Sequence, residues 1–294
     1  MSDHSLAPQN TGLHQLPPLG SSLYYVLHMV PSAHRALMRD WWHWWHEISS
    51  IPFNVQDPGV AEAKLTWWDQ EIQQASGGQA SHPLTQSMFS GRSAQEREAR
   101  LPELPLWRRQ INGQINLVHQ TRWLDAASLE LHVDQTTGSA AEGCAVILGA
   151  HSPQARQAAR SLGIGWRQIH QLARLGQDAR AGWVHVPVNV LQEHNVKAHE
   201  LTKPAPQAGP NFPKLLDSLS ASASSRIKDG LQAIRKLPRS ERKAMRPLVA
   251  LSWMQLALLK EIQNSQDRIL HERLLLTPLK KWWIATQVRI GLLH

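Results

Sequence analysis

Runs in which apolar and polar residues alternate over the length of a β-strand are nearly absent from this sequence. Because a half-buried strand needs that alternation, the pattern favours a fold built from helices alone. Proline breaks helices and Ser or Asp caps them, so these residues mark the expected ends. The predicted helices cover residues 23–29, 32–50, 58–76, 105–121, 126–149 and 152–177, with a short helix or loop at 91–106 and three helices in 214–290, broken near Pro238 and Asn264-Ser265.

The chain of 294 residues contains no repeat of fixed period, and one helical domain is the simplest interpretation. The strongest candidate boundary is the stretch 204–213, whose four prolines indicate a long surface loop. Residues 1–20 are polar and end in Pro17, Pro18 and Gly20, which predicts a disordered N-terminal segment. We therefore assign the helical domain to residues 21–290.

The formal net charge is +8, which favours anionic partners such as anionic lipid, diphosphate or nucleic acid without choosing among them. The sequence contains 13 tryptophans but only 3 phenylalanines and 2 tyrosines. Tryptophan suits wide cavities and surfaces that meet lipid. The basic stretch 226–246 is either a contact for anionic lipid or RNA, or a solvated helix hairpin around Pro238. No aromatic-basic platform accompanies it, which argues against nucleic acid as the partner.

Cellular location is constrained by what the sequence does not show. It has no run of 18 apolar residues that could span a membrane, and its start lacks the basic and apolar regions of a secretory signal. The single cysteine, Cys144, excludes an intrachain disulfide, and a buried core position is the better interpretation of it than a nucleophile. We expect a cytoplasmic protein and leave open a peripheral position at the inner face of the membrane.

Five short segments, spread along the chain, carry a resemblance to known proteins. They are the opening Gly20-Ser21-Ser22-Leu23-Tyr24-Tyr25 with Pro31 and Arg35, the stretch Ala63-Lys64-Leu65-Thr66-Trp67-Trp68-Asp69-Gln70-Glu71-Ile72, the triplet His82-Pro83-Leu84, the stretch from Leu172 to Pro187, and Lys280-Lys281-Trp282-Trp283. In order and spacing these segments resemble the squalene/phytoene synthase family from about residue 20 to residue 290.

The resemblance implies the all-α isoprenoid synthase fold, a single helical domain around a central cavity for prenyl chains. It also implies the family's reaction, in which Mg²⁺ assists the head-to-head condensation of two prenyl diphosphates. Mg²⁺ needs oxygen ligands in octahedral geometry, which two facing helices supply as carboxylates. The acidic positions of the first family motif fall here on Ser49, Ser50 and Phe53. In the second motif Arg174 replaces the first Asp, and Asp178 is kept.

The same alignment predicts a pocket that has changed from acidic to basic. One Asp cannot hold a magnesium cluster, so we expect no metal cofactor. The pocket either binds phosphate oxygens directly through arginine or keeps affinity only for the lipid chain. His46 stands at the family's Arg position and Trp42 at its Tyr position, while Arg167 and His170 replace its Gln and Asn, and Arg122-Trp123 replaces Arg-Tyr. The predicted binding residues are Tyr24, Trp42, His46, Arg122, His170, Arg174, Asp178 and Arg180.

Roles within that set differ. Arg174 and Arg180 are expected to contact anionic oxygens, and Asp178 to pair with one of them. The apolar part of the cavity is assigned to Trp42, Trp45 and Trp123. His43 and His46 have a spacing that could share a metal, but the sequence lacks the His-Glu-x-x-His zinc motif, and packing beside the tryptophans is the preferred interpretation.

Three functions remain open at this point. The first is a non-catalytic or altered family member that binds a prenyl diphosphate or another isoprenoid lipid in a metal-free pocket. The second is an active prenyltransferase that condenses farnesyl or geranylgeranyl diphosphate. The third is an assembly factor or scaffold at a membrane surface, with a protein partner.

Overall fold

The computed structural model describes residues 17–120 and 122–294, and in that part of the chain it contains helices and no β-strand. The predicted disordered segment thus lies outside the described residues except for 17–20. The helices are α1 (Ser22–Met29), α2 (Ser32–Asn54), α3 (Pro58–Ser76), α4 (Pro83–Phe89), α5 (Ala94–Arg100), α6 (Leu104–His119), α7 (Ala126–Val133), α8 (Ser139–Ile147), α9 (Pro153–Ala173), α10 (Leu175–Arg180), α11 (Val188–Glu193), α12 (Ala198–Thr202), α13 (Phe212–Arg235), α14 (Arg239–Ala244), α15 (Arg246–Ser265), α16 (Arg268–His271) and α17 (Pro278–Ile290).

Side-chain caps account for several of the predicted helix starts. The hydroxyl of Ser21 accepts from the backbone N–H of Tyr24, and the carboxylate of Asp57 accepts from that of Val60. Ser152 caps α9 in the same way, and Pro follows directly after both Asp57 and Ser152, where its missing N–H costs nothing. These contacts satisfy donors that a helix start would otherwise leave unpaired.

Three predicted helices differ from the structure, and one of them, predicted over 152–177, ends at Ala173 because Arg174 leaves the helical conformation. The helix predicted to stop before Pro52 continues through it to Asn54, because Pro52 lies in the last turn and forfeits only one backbone bond. The single helix predicted over residues 126–149 is divided by a wider, π-helical turn at Asp134–Gly138. There the hydroxyl of Thr136 donates to the carbonyl of His132 at 2.8 Å, and Thr136 packs on Gly113, where an added Cβ would approach it to 2.6 Å.

The core is built around tryptophan. Trp41, Trp44 and Trp107 are essentially fully buried, with ring centroids 4.5–5.4 Å apart. The indole of Trp41 donates to the carbonyl of Ala140 at 3.0 Å, which ties α2 to α8. Helix α9 lies at the centre of the fold and packs on α8, α13 and α15. In the described part of the chain no helix is long and apolar enough to cross a membrane.

The segment 63–72 and the triplet at 82–84 meet through a buried carboxylate. Glu71 on α3 accepts from the backbone N–H groups of Ser81 and His82, both at 2.9 Å, and from the hydroxyls of Ser81 and Thr85. Burial raises the pKa of Glu71, but these hydrogen bonds outweigh it and hold the pKa below its usual value. Glu71 therefore fastens the start of α4 to α3.

Candidate functional site

The predicted second motif lies where α9 ends and α10 begins. Arg174 leaves the helical conformation at this junction, with φ −119° and ψ 8°. Its Nε and Nη2 atoms both lie 3.0 Å from Oδ1 of Asp178 in the first turn of α10. Gly176 lets α10 approach α16 closely, because a Cβ at that position would lie 1.9 Å from the carbonyl oxygen of Leu270. The Arg174–Asp178 pair is thus held at a rigid contact between two helices.

Further titratable side chains surround this pair. Nε2 of His185, in the segment after α10, lies 3.4 Å from Oδ2 of Asp178. Arg167 and His170 come from the last turns of α9, His132 from α7, and Arg273 from the segment before α17; each either shifts the pKa of another member or has its own pKa shifted by one. We call this group the basic cluster; its members are His132, Arg167, His170, Arg174, Asp178, His185 and Arg273.

The histidines of the basic cluster are held neutral. Burial, with added repulsion from Arg167 and Arg174, lowers the pKa of His170 to about 3. Burial and Arg167 lower the pKa of His132, likewise to about 3. The pKa of His185 is also lowered, because burial and Arg167 outweigh the attraction of Asp178. At neutral pH the charge of the cluster is therefore that of its arginines and its single carboxylate.

Asp178 remains ionised despite its surroundings. Burial raises its pKa, but the nearby imidazole of His185, 3.4 Å away, and the hydrogen bond from Arg174 outweigh the burial and hold the pKa below the usual value. Arg174 contacts this carboxylate directly, and Arg167 and Arg273 interact with it electrostatically. Because guanidinium fits phosphate oxygens in bidentate geometry, the excess positive charge suits a phosphate or diphosphate group.

A small cavity borders the cluster. It has a volume of about 70 Å³ and is lined by His185, Pro187, Gln168 and Gln171 together with apolar side chains. Oε1 of Gln168 and Nε2 of Gln171 have no hydrogen-bond partner among residues 17–120 and 122–294. A cavity of roughly 150 Å³ is the size that takes up benzene, so this space suits water or a few polar atoms. A groove of about 700 Å³ runs between α2 and α3, lined by Glu47, Ser50, Ile51, Trp67 and Trp68 among others.

The residues at the two family metal motifs do not fit Mg²⁺. The hydroxyls of Ser49 and Ser50 donate to the carbonyls of His46 and Glu47, at 3.2 and 2.9 Å. Phe53 is apolar, and its ring packs 4.7 Å from that of Trp183, five residues after Asp178. Among the described residues no group of three or more His, Cys, Asp or Glu side chains could hold a metal ion. The two motif segments do meet, but through an aromatic contact instead of facing carboxylates.

The structure brings together only part of the predicted binding set. His170, Arg174 and Asp178 lie in the basic cluster. Arg180 is not a member of the basic cluster. Its guanidinium donates to the carbonyls of Leu270 and His271 and so fastens α10 to α16.

The other predicted binding residues have partners of their own. Tyr24 packs on Tyr25 and His28, and the indole of Trp42 donates to the sulfur of Cys144 at 3.3 Å. His46 is exposed, and exposed Arg122 forms an isolated parallel bridge with Val184.

Four residues of the cluster were not in the predicted set. Arg167 carries a signal in the sequence, since it replaces the family's Gln upstream of the second motif, and His185 lies within the matched segment from Leu172 to Pro187. His132 and Arg273 carry none, because they lie far from that motif in the chain and only the packing of α7 and of the segment before α17 brings them near it. Trp123, predicted to line the cavity, stacks 4.8 Å from His132.

Comparison with known proteins decides the family. The family model for squalene/phytoene synthases matches residues 16–280. The chain belongs to the squalene/phytoene synthase family. No curated protein sequence matches it.

Several solved structures share the fold. A dehydrosqualene synthase crystallised with a ligand aligns with a TM-score of 0.77 at 13% identity, over 92% of this chain and 91% of that one. The squalene synthase HpnC from Alicyclobacillus acidocaldarius aligns with a TM-score of 0.72 at 13% identity, over 82% and 88%. YisP from Bacillus subtilis aligns with a TM-score of 0.61 at 18% identity, over 89% and 87%. The predicted all-α isoprenoid synthase fold is confirmed.

Proposed function

We propose that this family member binds the phosphate or diphosphate group of a prenyl lipid directly through arginine, without metal, and does not carry out the Mg²⁺-assisted condensation. The observation that carries the proposal is the Arg174–Asp178 pair. The one carboxylate kept from the family's acidic motifs is bonded to the cation that replaced another. A carboxylate in that state offers little to a metal ion, while the surrounding guanidinium groups attract anions.

The neutral histidines support the same function. His132, His170 and His185 are present as imidazoles, which can donate or accept a hydrogen bond without adding a full charge. An arriving anion would reduce the repulsion that the arginines exert on these rings and would raise their pKa values. Phosphate binding is therefore expected to be accompanied by partial protonation of the cluster, and to strengthen as the pH falls from neutral.

The space beside the basic cluster is small for the isoprenoid tail of such a ligand. The cavity of about 70 Å³ beside the cluster is too small for a prenyl chain unless side chains move. Burying each CH₂ group is worth about 0.8 kcal/mol, so a buried tail would raise affinity by orders of magnitude over the headgroup alone. Comparing inorganic diphosphate with farnesyl diphosphate therefore measures how much of the tail this protein covers.

The pocket is tested by calorimetry with inorganic diphosphate and with farnesyl diphosphate, both in EDTA. The wild type is expected to bind, and Arg174→Gln and Arg273→Gln to bind about tenfold more weakly, as the loss of a charge-assisted contact predicts. Lys214→Gln, an exposed position on α13, serves as the charge-matched control. Equal affinity of the wild type, both arginine variants and the control would refute the proposed site.

An active prenyltransferase that condenses two prenyl diphosphates, and a scaffold with a protein partner, are the alternatives. The first needs turnover that depends on Mg²⁺, and the second needs a partner but no ligand in the basic cluster. Isoprenoid metabolism is the family's context in each case.

A further inference from the structure

The outward face of α17 is apolar. Leu279, Trp283 and Ile290 are 73%, 53% and 65% exposed. Their spacings of four and seven residues place them in one line along the helix, away from Ile284 and Val288, which pack into the core. The residue that completes the line is Thr286, whose hydroxyl donates to the carbonyl of Trp282 at 3.0 Å. A helix that is apolar on both faces is unusual at a surface exposed only to water.

Other exposed apolar residues gather around this line. Nζ of Lys281 donates to the carbonyl of Gly20 at 2.9 Å, which places Leu19, 82% exposed, beside the start of α17. Of the 12 large exposed hydrophobic residues in 17–120 and 122–294, 7 lie in this one region. We call it the α17 patch; it comprises Leu19, Leu275, Leu279, Trp282, Trp283, Ile290 and Leu292. A concentration of this kind marks an interaction surface.

The patch is bordered by positive charge. Residues 273–294 contain four Lys or Arg residues and no Asp or Glu; Lys280 is paired with Glu261 and Arg273 belongs to the basic cluster, which leaves Lys281 and Arg289 beside the patch. The guanidinium of Arg235 donates to the carbonyl of His294 at 2.6 and 3.0 Å, which joins the end of this segment to the end of α13. The turn and short helix that follow, residues 235–246, form the basic hairpin; its exposed cations are Arg235, Lys236, Arg239, Arg242, Lys243 and Arg246.

The basic hairpin is almost free of compensating negative charge. Glu241 is its single acidic residue, and its carboxylate is bonded to the N–H and hydroxyl of Ser152, at 2.9 and 2.6 Å. Its cations therefore face outward next to the apolar patch.

We propose that the α17 patch and the basic hairpin together dock on an anionic lipid bilayer, with α17 lying in the plane of the interface. Tryptophan is favoured at the level of the lipid headgroups, and lysine and arginine beside it attract anionic lipid. A helix of this kind binds by placing its apolar face at the boundary between headgroups and acyl chains. A second copy of the chain fits less well, because a two-fold contact would bring two cationic borders together.

Docking is tested by sedimentation of the full chain with vesicles of phosphatidylcholine alone and of phosphatidylcholine with about one third phosphatidylglycerol. The wild type is expected to bind the anionic vesicles and to bind the neutral vesicles at least about tenfold more weakly, since each surface cation contributes roughly fivefold. The combined variant Leu279→Ser, Trp283→Ser, Ile290→Ser should lose most binding to both. Leu131→Ser, an exposed leucine on α7 (58%), is the matched control and should bind like the wild type.

A second variant, Arg239→Glu with Lys243→Glu, tests the charge without touching α17. It should weaken binding to anionic vesicles by about tenfold or more and leave the weak binding to neutral vesicles unchanged. The proposal would be overturned if the wild type did not bind anionic vesicles, or if both variants bound them as strongly as the wild type does. A dimer that the triple serine variant abolishes, without vesicle binding, would assign the patch to a second copy. Vesicle binding needs no ligand in the basic cluster, so this test is independent of the proposed pocket.

Discussion

Arg174 and Asp178 form an ion pair one helical turn apart, with Nε and Nη2 of the guanidinium both 3.0 Å from Oδ1 of the carboxylate. The second carboxylate oxygen lies 3.4 Å from Nε2 of His185. Oδ1 of Asp178 is therefore engaged by Arg174, and Oδ2 lies near the buried imidazole of His185. The resemblance to the family places a metal ligand at this position, whereas here the carboxylate neutralises part of a cationic pocket.

Asp178→Asn should strengthen the binding of inorganic diphosphate. The carboxylate competes with an incoming anion for Arg174, and the amide removes that competition while still accepting a hydrogen bond. Relief of one charge-assisted contact corresponds to about fivefold to tenfold in affinity. Calorimetry in EDTA measures the change directly. In a metal-dependent site the same substitution removes a ligand, so a large loss of binding in Asp178→Asn would contradict the basic pocket.

The buried histidines predict loss of stability in acid. His132 and His170 have pKa values of about 3 in the folded protein, whereas the unfolded chain binds their protons near the usual pKa of about 6.5. The unfolded state thus holds more protons between these values, so the free energy of unfolding should fall as pH drops from about 6.5 toward 3. Each histidine contributes up to about 1.4 kcal/mol per pH unit within that window.

The variant His132→Phe tests the predicted loss of stability between pH 6.5 and pH 3, which are about the pKa values of an unfolded and a folded histidine here. The phenyl ring can keep the contact with Trp123, which lies 4.8 Å from the imidazole. Urea titrations at a series of pH values should give a shallower slope for this variant than for the wild type. His46→Gln, at an exposed position on α2, is the control and should keep the wild-type slope. Parallel curves for His132→Phe and the wild type would contradict the burial of an uncharged His132.

Glu71→Gln should destabilise the fold without affecting the pocket. The carboxylate accepts two backbone N–H groups and two hydroxyls at a site where it is only 2% exposed. The amide replaces one acceptor oxygen by a donor, which leaves buried groups unsatisfied at a cost of about 1–3 kcal/mol. Urea denaturation measures the loss, with exposed Gln74→Ala on the same helix as control. Unchanged stability, or weaker diphosphate binding at full stability, would contradict a purely structural role.

Restoring acidic residues tests the alignment of the two motif segments. Ser49→Asp, Phe53→Asp and Arg174→Asp together should create part of a magnesium site, because the contact between Phe53 and Trp183 shows that the two segments meet. Calorimetry should detect weak Mg²⁺ binding in the triple variant and none in the wild type. If a correctly folded triple variant gains no Mg²⁺ affinity, the assignment of these positions is wrong.

Much of the fold could be predicted from helix-capping residues and prolines, which are visible in the sequence. Ser21, Asp57 and Ser152 are capping residues, and the helices begin where these residues predict. Pro52 misled the prediction because the penalty of a proline depends on its place in the helix, and near the last turn that penalty is small. The π-helical turn at 134–138 depends on packing between Thr136 and Gly113, which local patterns do not show.

The site was harder to predict because it is assembled from distant parts of the chain. Arg174 and Asp178 lie in one motif, and the sequence predicted that Asp178 pairs with either Arg174 or Arg180. His132 and Arg273 come from separate helical regions and join the basic cluster only in the folded protein. Arg180 was predicted to bind the ligand because it is a cation near that motif, but its guanidinium donates hydrogen bonds to carbonyl groups at the end of α16. Charge alone cannot distinguish a binding arginine from one that fastens two helices.

The most direct test of the central claim is incubation of the purified protein with farnesyl and geranylgeranyl diphosphates, with Mg²⁺ or with EDTA. Binding is measured by calorimetry, and condensation products are sought by mass spectrometry. The basic pocket predicts binding that persists in EDTA and no condensed product in either condition. Condensation that appears only with Mg²⁺ would contradict the account and identify the protein as an active prenyltransferase.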